Sequence, residues 1–553
     1  MTEMTISNQL SPQDPPSYPK TLNGQQFKKY ISAALAWLKA NQQTVNSLNV
    51  FPVPDGDTGT NMVLTMQAAY NEIANSNELN VGKMSKDLAQ GALMGARGNS
   101  GVILSQILRG FARSMDNLPE MDSKAFVNAL AESRNTAYKG VVRPVEGTIL
   151  TVIKDIAAEA DNSFNNGATF EKLLEDVVKA ADVSVRNTPD LLPILKTAGV
   201  VDSGGKGLFF LFEGVLRSIQ GASLEAATAM VQPLDAINIG QAMEEIEEGQ
   251  DVEVVIDFKP FKELDLQSFY QDLSTMGTSI QVGEGDGMYR MHIHVEEEKQ
   301  NLPHEYISKI GLWTREAREN LCAQMPSYSL AEVKPGQIAV VVVSPGDGIS
   351  RIFASLGAAG IIEGGQTMNP STEQILKAFE NLPTDNVVIL PNNKNIILAA
   401  NTAKSLSVKH VSVIPSKNVP QGLAAILRIN PDGDFDKIVE EMNEALSEVE
   451  CAEITIATRS VELNGVEVEE GKVIGLLDGQ LVVSSPTVEE TCMQVLEKAE
   501  TQVHERITLL YGNNISKDEV DNIVGMIQET YPNLEIEVHS GGQPHYQFII
   551  SIE

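Results

Sequence analysis

The sequence predicts a multidomain chain, all-α near its N-terminus and α/β beyond, and three observations predict it. Its 553 residues exceed what one hydrophobic core supports. Apolar residues recur at helical spacing from Asn23 to about residue 222, whereas from Val252 onward β-branched runs alternate with polar turns. Between these regions, residues 223–250 are acidic and weakly patterned, as expected of a linker.

Taken in order, residues 1–22 are polar, hold four prolines and lack periodicity, so a disordered tail is expected there. Residues 23–222 read as helices. Phe27, Ile31, Leu35 and Leu38 share one face, as do Met62, Met66, Tyr70 and Ile73. Ile103, Ile107 and Phe111 form a third stripe. Phe170, Leu173, Leu174, Val177, Val178 and Ala181 form a fourth, and Leu208 to Leu216 is apolar nearly all round, as in a buried helix. Residues 251–330 read as a mixed α/β domain. Val252, Val254, Ile256 and Phe258 alternate as a strand, Leu264 to Met276 suits a helix, and Tyr289 to Val295 alternates again. Residues 333–553 repeat strand, polar turn and helix. Ile338 to Val343, Val387 to Leu390 and Val411 to Ile414 are the strands, which predicts a parallel sheet with functional loops at the strand C-termini. The end of the chain reads as α+β, with a last strand over His545 to Ile552.

The chemistry concentrates in Asn49-Val50-Phe51-Pro52-Val53-Pro54-Asp55-Gly56-Asp57-Thr58-Gly59-Thr60-Asn61-Met62. Two prolines stiffen an extended approach. Asp55, Asp57 and Asn61 then sit at alternating positions of a glycine-interrupted turn, an oxygen density that suits a hard cation such as Mg²⁺. The helix starting near Met62 offers free N–H groups and a positive dipole end to a phosphate. A plain turn with a helix cap also fits this stretch. An EF-hand does not, because Met66 stands where a bidentate Glu belongs.

Three further glycine-bearing turns run into helices: Gly95 to Gly101, Arg143 to Thr148, and Gly199 to Gly207. Four such turns on one helical domain suggest loops gathered at one end of a bundle, where small residues let backbone N–H groups approach a polyanion. No Walker A loop is present, since Lys206 is followed by Gly207 instead of Ser or Thr. Residues 1–291 hold no histidine and no cysteine, which excludes an imidazole base or a thiolate nucleophile from the helical domain itself. Carboxylates, metal ions, Arg, Lys and backbone dipoles remain, a set on which phosphoryl transfer runs. Arg97 and Lys206 are each readable as a charge-neutralising group or as a surface ion pair.

A net charge of −33 argues against nucleic acid as partner. No run of eighteen apolar residues appears, so no integral membrane segment is expected. Three scattered cysteines argue for a reducing, cytoplasmic setting.

These motifs, with Gly364 to Thr372, Leu390 to Asn395 and Gly541-Gly542-Gln543-Pro544, resemble in their order the large, ATP-binding subunit of bacterial fatty acid kinase. That family's first domain is like the nucleotide-binding subunit of dihydroxyacetone kinase. The resemblance implies a helical barrel binding Mg²⁺ and ATP, a middle α/β domain associated with homodimerisation, and a C-terminal α/β domain of DegV-like fold. The C-terminal domain is implied to engage a DegV-type fatty-acid-binding subunit. The implied reaction converts a bound fatty acid and ATP to acyl phosphate and ADP, a step toward phospholipid synthesis. Asp55 and Asp57 match the family's magnesium ligands, and Asn49 falls near a third. Thr60, Asn61, Ser100, Gly101, Thr148, Asp202 and Gly204 fall in loops implied to contact nucleotide. Relatives hold zinc with a His-x-His strand and a cysteine; here His292 and His294 are present, but Asp251 stands near the cysteine position, so both presence and loss of that metal stay open. A fatty acid carboxylate, already ionised near pH 7, needs no general base, which agrees with the missing histidines. The alternatives are a hydroxyl-directed kinase of the dihydroxyacetone type and a nucleotide-binding scaffold without turnover.

Overall fold

The structure is a computed structural model that describes residues 21–49, 56–141, 143–222, 232–233, 252–262, 264–285, 288–296, 299–320, 328–365, 368–457, 460–463 and 465–553. Asp55, Asp251 and the expected tail over residues 1–20 lie outside the described residues, as does most of the expected linker. The chain forms two compact units, Met1–Leu224 with Leu330–Glu553, and Glu225–Ser329.

The first unit begins with helices α1 (Gly24–Ala40), α2 (Gln42–Ser47), α3 (Thr58–Ala74), α4 (Val81–Met94), α5 (Gly98–Ser114), α6 (Ser123–Lys139), α7 (Ile149–Asn165), α8 (Phe170–Leu191), α9 (Pro193–Thr197) and α10 (Ser203–Ile219). Their starts follow from side-chain caps: Asn23 and Gln26 form a capping box on α1, and Asn80, Asp122 and Thr169 each accept a backbone N–H of the following helix. Leu22, expected in the tail, is instead buried and bridges to Met121, because its side chain closes the apolar interior beside Phe27.

Packing runs from α1 to α3, α4, α5, α6, α7, α8 and α10, and from α10 back to α1. The ring closes into a barrel. Each helix turns one apolar stripe inward, and Phe27, Phe111, Phe126 and Phe170 form a continuous file with ring centroids 5.8, 6.4 and 5.4 Å apart.

The second unit carries a five-stranded sheet of β1 (Gln232–Pro233), β2 (Val252–Pro260), β3 (Thr278–Gly285), β4 (Met288–Val295) and β5 (Gly311–Asn320), in the order β1–β3–β4–β2–β5. The four long strands pair antiparallel. Helices α11 (Leu266–Leu273) and α12 (Leu302–Ile310) accompany them. Phe258 and Phe269 anchor the core, and Arg290 holds Asp257 bidentately at 2.6 and 2.8 Å. His292 lies buried in this sheet, whereas the side chain of His294 lies outside the described residues. Among the described residues, no three His, Cys, Asp or Glu gather as metal ligands. Nor is any described helix long and apolar enough to cross a membrane.

The first unit resumes with a four-stranded parallel sheet of β6 (Ile338–Ser344), β7 (Gly360–Glu363), β8 (Asn386–Leu390) and β9 (His410–Val413), in the order β7–β6–β8–β9. Helices α13 (Asp347–Ser355), α14 (Thr372–Glu380) and α15 (Ile397–Leu406) connect these strands. All seven residues of β6 are buried, as a parallel strand covered on both faces requires. Val102 and Ala96 of the helical domain share a buried cluster with Val341, Ile375, Phe379 and Ala399, so barrel and parallel sheet meet through an apolar interface.

After β10 (Glu450–Ile456), the strands β11 (Val461–Leu463) and β12 (Val466–Val468) form a small antiparallel pair. A six-stranded mixed sheet joins β10 to β13 (Val473–Leu477), β14 (Gln480–Ser485), β15 (Arg506–Tyr511), β16 (Glu535–Ser540) and β17 (Tyr546–Ile552). Its order is β14–β13–β10–β17–β15–β16, with β10 and β17 central and antiparallel.

Candidate active site

The glycine turns expected at one end of the bundle do converge. Ser203, the first residue of α10, donates its hydroxyl to Thr58, the first residue of α3, at 3.2 Å. Gly98, opening α5, lies against Asn61: a Cβ there would stand 2.6 Å from Nδ2 of Asn61. Gly98 also has φ +55°, in the left-handed region that favours glycine. Asp202 accepts N–H bonds from Gly205 and from Ile149, which ties the start of α10 to the start of α7. Four helix N-termini thus crowd together. Their positive dipole ends repel one another and together favour a polyanion.

At the centre is Asp57, only 6% exposed. It precedes α3, yet its carboxylate does not cap that helix. The carboxylate accepts from the side-chain amides of Asn61 and Asn369, the latter at 2.5 Å. Burial outweighs these donors and pushes the Asp57 carboxyl up to about 6. No arginine or lysine offsets its charge in these contacts. A buried carboxylate held only by neutral amides suits a cation, and the buried Oδ1 of Asn369 has no partner among the described residues. The donor set, all oxygen, fits Mg²⁺.

The other residues singled out by sequence fall around this centre in different ways. Asn61 is buried beside Asp57. Thr60 accepts at its hydroxyl from Gln42 and Asn46, at 2.9 and 3.1 Å, and its backbone N–H donates to Asn46. Asn49 follows α2, its N–H bonded to the carbonyl of Asn46. Ser100 lies in the first turn of α5, and Gly101 lets α5 approach α3 so closely that a Cβ would meet Oγ1 of Thr65 at 2.4 Å. Thr148 caps α7 at Leu150 and donates to Val145. Gly204 packs on Ile149. Asp202, the N-cap of α10, is itself pushed up to about 6 by burial.

Of the two candidate cations, Lys206 lies 3.9 Å from Asp182 and over the rings of Phe209 and Phe210. Arg97 instead donates from Nη1 to the carbonyl oxygen of Asn369 at 3.0 Å, and burial lowers its pKa. Sequence reasoning missed Gln42, Asn46 and, above all, Asn369. Asn369 belongs to the Gly364 to Thr372 stretch already marked as a motif, but no spacing signal links it to a carboxylate 312 residues away.

A second concavity of about 230 Å³ opens at the C-terminal ends of the parallel strands, where the sequence placed functional loops. Ser344, Asn392, Lys417, Glu453 and His545 line it, and Asn392 and His545 have φ of +53° and +68°. Burial pushes the Glu453 carboxyl up to about 7.

A closed helical ring whose helix N-termini surround a buried acidic residue suits a polyanion bound together with a cation. Comparison with known proteins agrees. The DAK2 domain model matches residues 52–217, and the FakA-like C-terminal model of fatty acid kinase matches residues 339–553. Protein YloV of Bacillus subtilis is 39% identical over 552 residues, covering 97% of this chain and all of that protein. The chain therefore belongs to the FakA-like family of fatty acid kinase, and its two matched domains are of kinase type within a fatty acid kinase system. Among solved structures, the dihydroxyacetone kinase of C. freundii in complex with AMP-PNP and Mg²⁺ is 19% identical over 39% of this chain and 38% of that one, with a TM-score of 0.27. A DegV family protein from Corynebacterium glutamicum is 15% identical over 39% of this chain and 96% of that one, with a TM-score of 0.32.

Proposed function

We propose that the protein transfers the γ-phosphoryl group of ATP to the carboxylate of a fatty acid, giving acyl phosphate and ADP for phospholipid synthesis. The observation that carries this reading is Asp57, buried among converging helix N-termini and held by neutral amides alone. Asp57, with Asp55 and Asn49, would hold Mg²⁺, and Mg²⁺ when bound neutralises the triphosphate so that an anionic acceptor can approach. The N-termini of α3, α5, α7 and α10 orient phosphate oxygens, with Thr60, Asn61, Ser100, Gly101, Thr148, Asp202 and Gly204 in the loops that surround the nucleotide.

One carboxylate oxygen forms a bond to the γ-phosphorus as the bridging oxygen leaves with ADP. No proton has to move, because the acceptor is already ionised near pH 7. A hydroxyl acceptor usually needs a base, and with no histidine in residues 1–291 that role would fall to a carboxylate. Acyl-chain choice belongs to a partner in this reading: a DegV-type subunit presents the fatty acid to this chain. The match of residues 339–553 to the FakA-like C-terminal model supports that domain as its docking region. The middle domain, residues 251–330, mediates a homodimer, and the protein acts in the cytoplasm.

The test incubates the protein with ATP, Mg²⁺, oleate and a DegV-type subunit, and traps acyl phosphate with hydroxylamine. Hydroxamate that requires all four components is expected. ATP consumption without hydroxamate, or no turnover with any DegV-type subunit, would exclude the carboxyl acceptor.

A further inference from the structure

Asn369 belongs to the C-terminal domain, yet its side chain is 2% exposed against the central carboxylate of the helical domain. Its position is fixed from several sides. The Arg97 guanidinium holds its carbonyl oxygen at 3.0 Å, and the N–H of Thr372 donates to the Ala96 carbonyl at 3.1 Å. Arg97 and Ser371 form an isolated β-bridge, and Ser371 with Gln374 closes a capping box on α14. An amide held so firmly by neighbouring backbone positions orients whatever it touches.

The two ends of that amide differ. Nδ2 donates to Oδ2 of Asp57, while Oδ1 is buried without a partner among the described residues. A buried acceptor left unmade costs about 1–3 kcal/mol, so such an atom points to a missing donor or cation. Phosphate oxygens are acceptors and cannot serve it. A hydrated divalent cation can.

We propose that Asn369 of the C-terminal domain is a positioning residue of the metal site, its Nδ2 fixing the Asp57 carboxylate and its Oδ1 accepting from the hydrated cation. The inference rests on the reading of Asp57 as a magnesium ligand. It makes the helical domain incomplete without the C-terminal domain: docking of residues 330–553 supplies one of the two side-chain amides that hold Asp57, beside its own backbone N–H. Groups that orient a metal-ligating carboxylate typically change metal affinity by about 10–100-fold when removed.

The test uses the full chain and titrates AMP-PNP calorimetrically with and without Mg²⁺. Asn369→Ala and the near-isosteric Asn369→Leu should each weaken Mg²⁺-dependent binding about 10–100-fold and leave metal-free binding unchanged. Asn395→Ala removes a different contact between the two domains, the 3.3 Å bond from Asn99, and should change Mg²⁺-dependent binding less than twofold. Binding of both Asn369 variants within twofold of the parent would overturn the inference, as would an equal loss in Asn395→Ala, which would indicate domain docking alone. Asp57→Ala separates the two levels. If it binds Mg²⁺ and AMP-PNP like the parent, the metal assignment itself fails; if it loses binding while the Asn369 variants do not, only the role of Asn369 fails.

Discussion

Gly98→Ala perturbs the site through one methyl group, and its cost divides into two parts that separate assays can read. The first is backbone strain. Gly98 has φ +55°, and an L-residue in that region costs about 1–2 kcal/mol. The second is a collision. The added Cβ would lie 2.6 Å from Nδ2 and 3.2 Å from Cγ of Asn61, so the buried Asn61 amide has to move away from Asp57. Loss of a hydrogen bond to a charged group is worth about 1.5–3 kcal/mol, which corresponds to about 10–150-fold in affinity. Gly167→Ala isolates the first part, because Gly167 has φ +79° and open space around its missing Cβ. Both variants should lower the melting midpoint of the metal-free protein. Only Gly98→Ala should also weaken Mg²⁺-dependent AMP-PNP binding by about 10–150-fold in calorimetric titration. Equal nucleotide affinity in the two variants would refute the claim that the second glycine turn seats the metal site through Asn61.

Asp57 and Glu453 predict pH dependences of definite sign. Burial raises the Asp57 carboxyl to about 6, so the protonated form accumulates as pH falls through 6 and competes with a cation. Mg²⁺-dependent nucleotide binding should therefore weaken below pH 6 and release about one proton there, measurable by titration in buffers of different ionisation enthalpy; a flat profile from pH 5 to 8 would contradict it. For stability the same group acts in the opposite direction, since a raised carboxyl stabilises the metal-free fold below its unfolded value and loses that contribution as pH rises through 6. Glu453, raised to about 7, follows the same rule: its contribution is present in acid and lost as pH rises through 7. Glu453→Gln should raise the melting midpoint at pH 8.5 and leave it nearly unchanged at pH 5, and an unchanged midpoint at both values would show that the ionised carboxylate is solvated in place.

Much of the fold was legible because burial writes itself into periodicity. Val387 to Leu390 and Val411 to Ile414 read as strands and lie within one residue of β8 and β9; β8, inside the sheet, is a continuous apolar run, whereas the edge strand β9 shows only through its β-branched Val411 and Val413. The stripe through Phe170, Leu173, Leu174, Val177 and Val178 marked α8 for the same reason. The convergence of the glycine turns was legible as composition, because several small residues at helix starts have few other uses. What was not legible is what depends on contact between distant segments. The partnership of β10 with β17 joins residues about a hundred positions apart, and local patterning carries no register for it. Lys206 could not be assigned until Asp182 and the two phenylalanines appeared beside it. Asn369 is the sharpest case. An asparagine in a Gly- and Thr-rich loop reads as turn chemistry, and only the packing of α14 and α15 on the helical domain, with the backbone contacts of Arg97 and Ala96, brings that loop over Asp57.

Carboxylate phosphorylation at the Asp57 site is tested most directly by a competition between acceptors followed by ³¹P NMR. The full chain would receive ATP, Mg²⁺ and a DegV-type subunit loaded with oleate, with dihydroxyacetone present in excess. An acyl phosphate resonance should grow as ADP forms, with no dihydroxyacetone phosphate, and Asp57→Ala should yield neither product. Dihydroxyacetone phosphate as the main product, or acyl phosphate formed undiminished by Asp57→Ala, would contradict carboxylate transfer at this site.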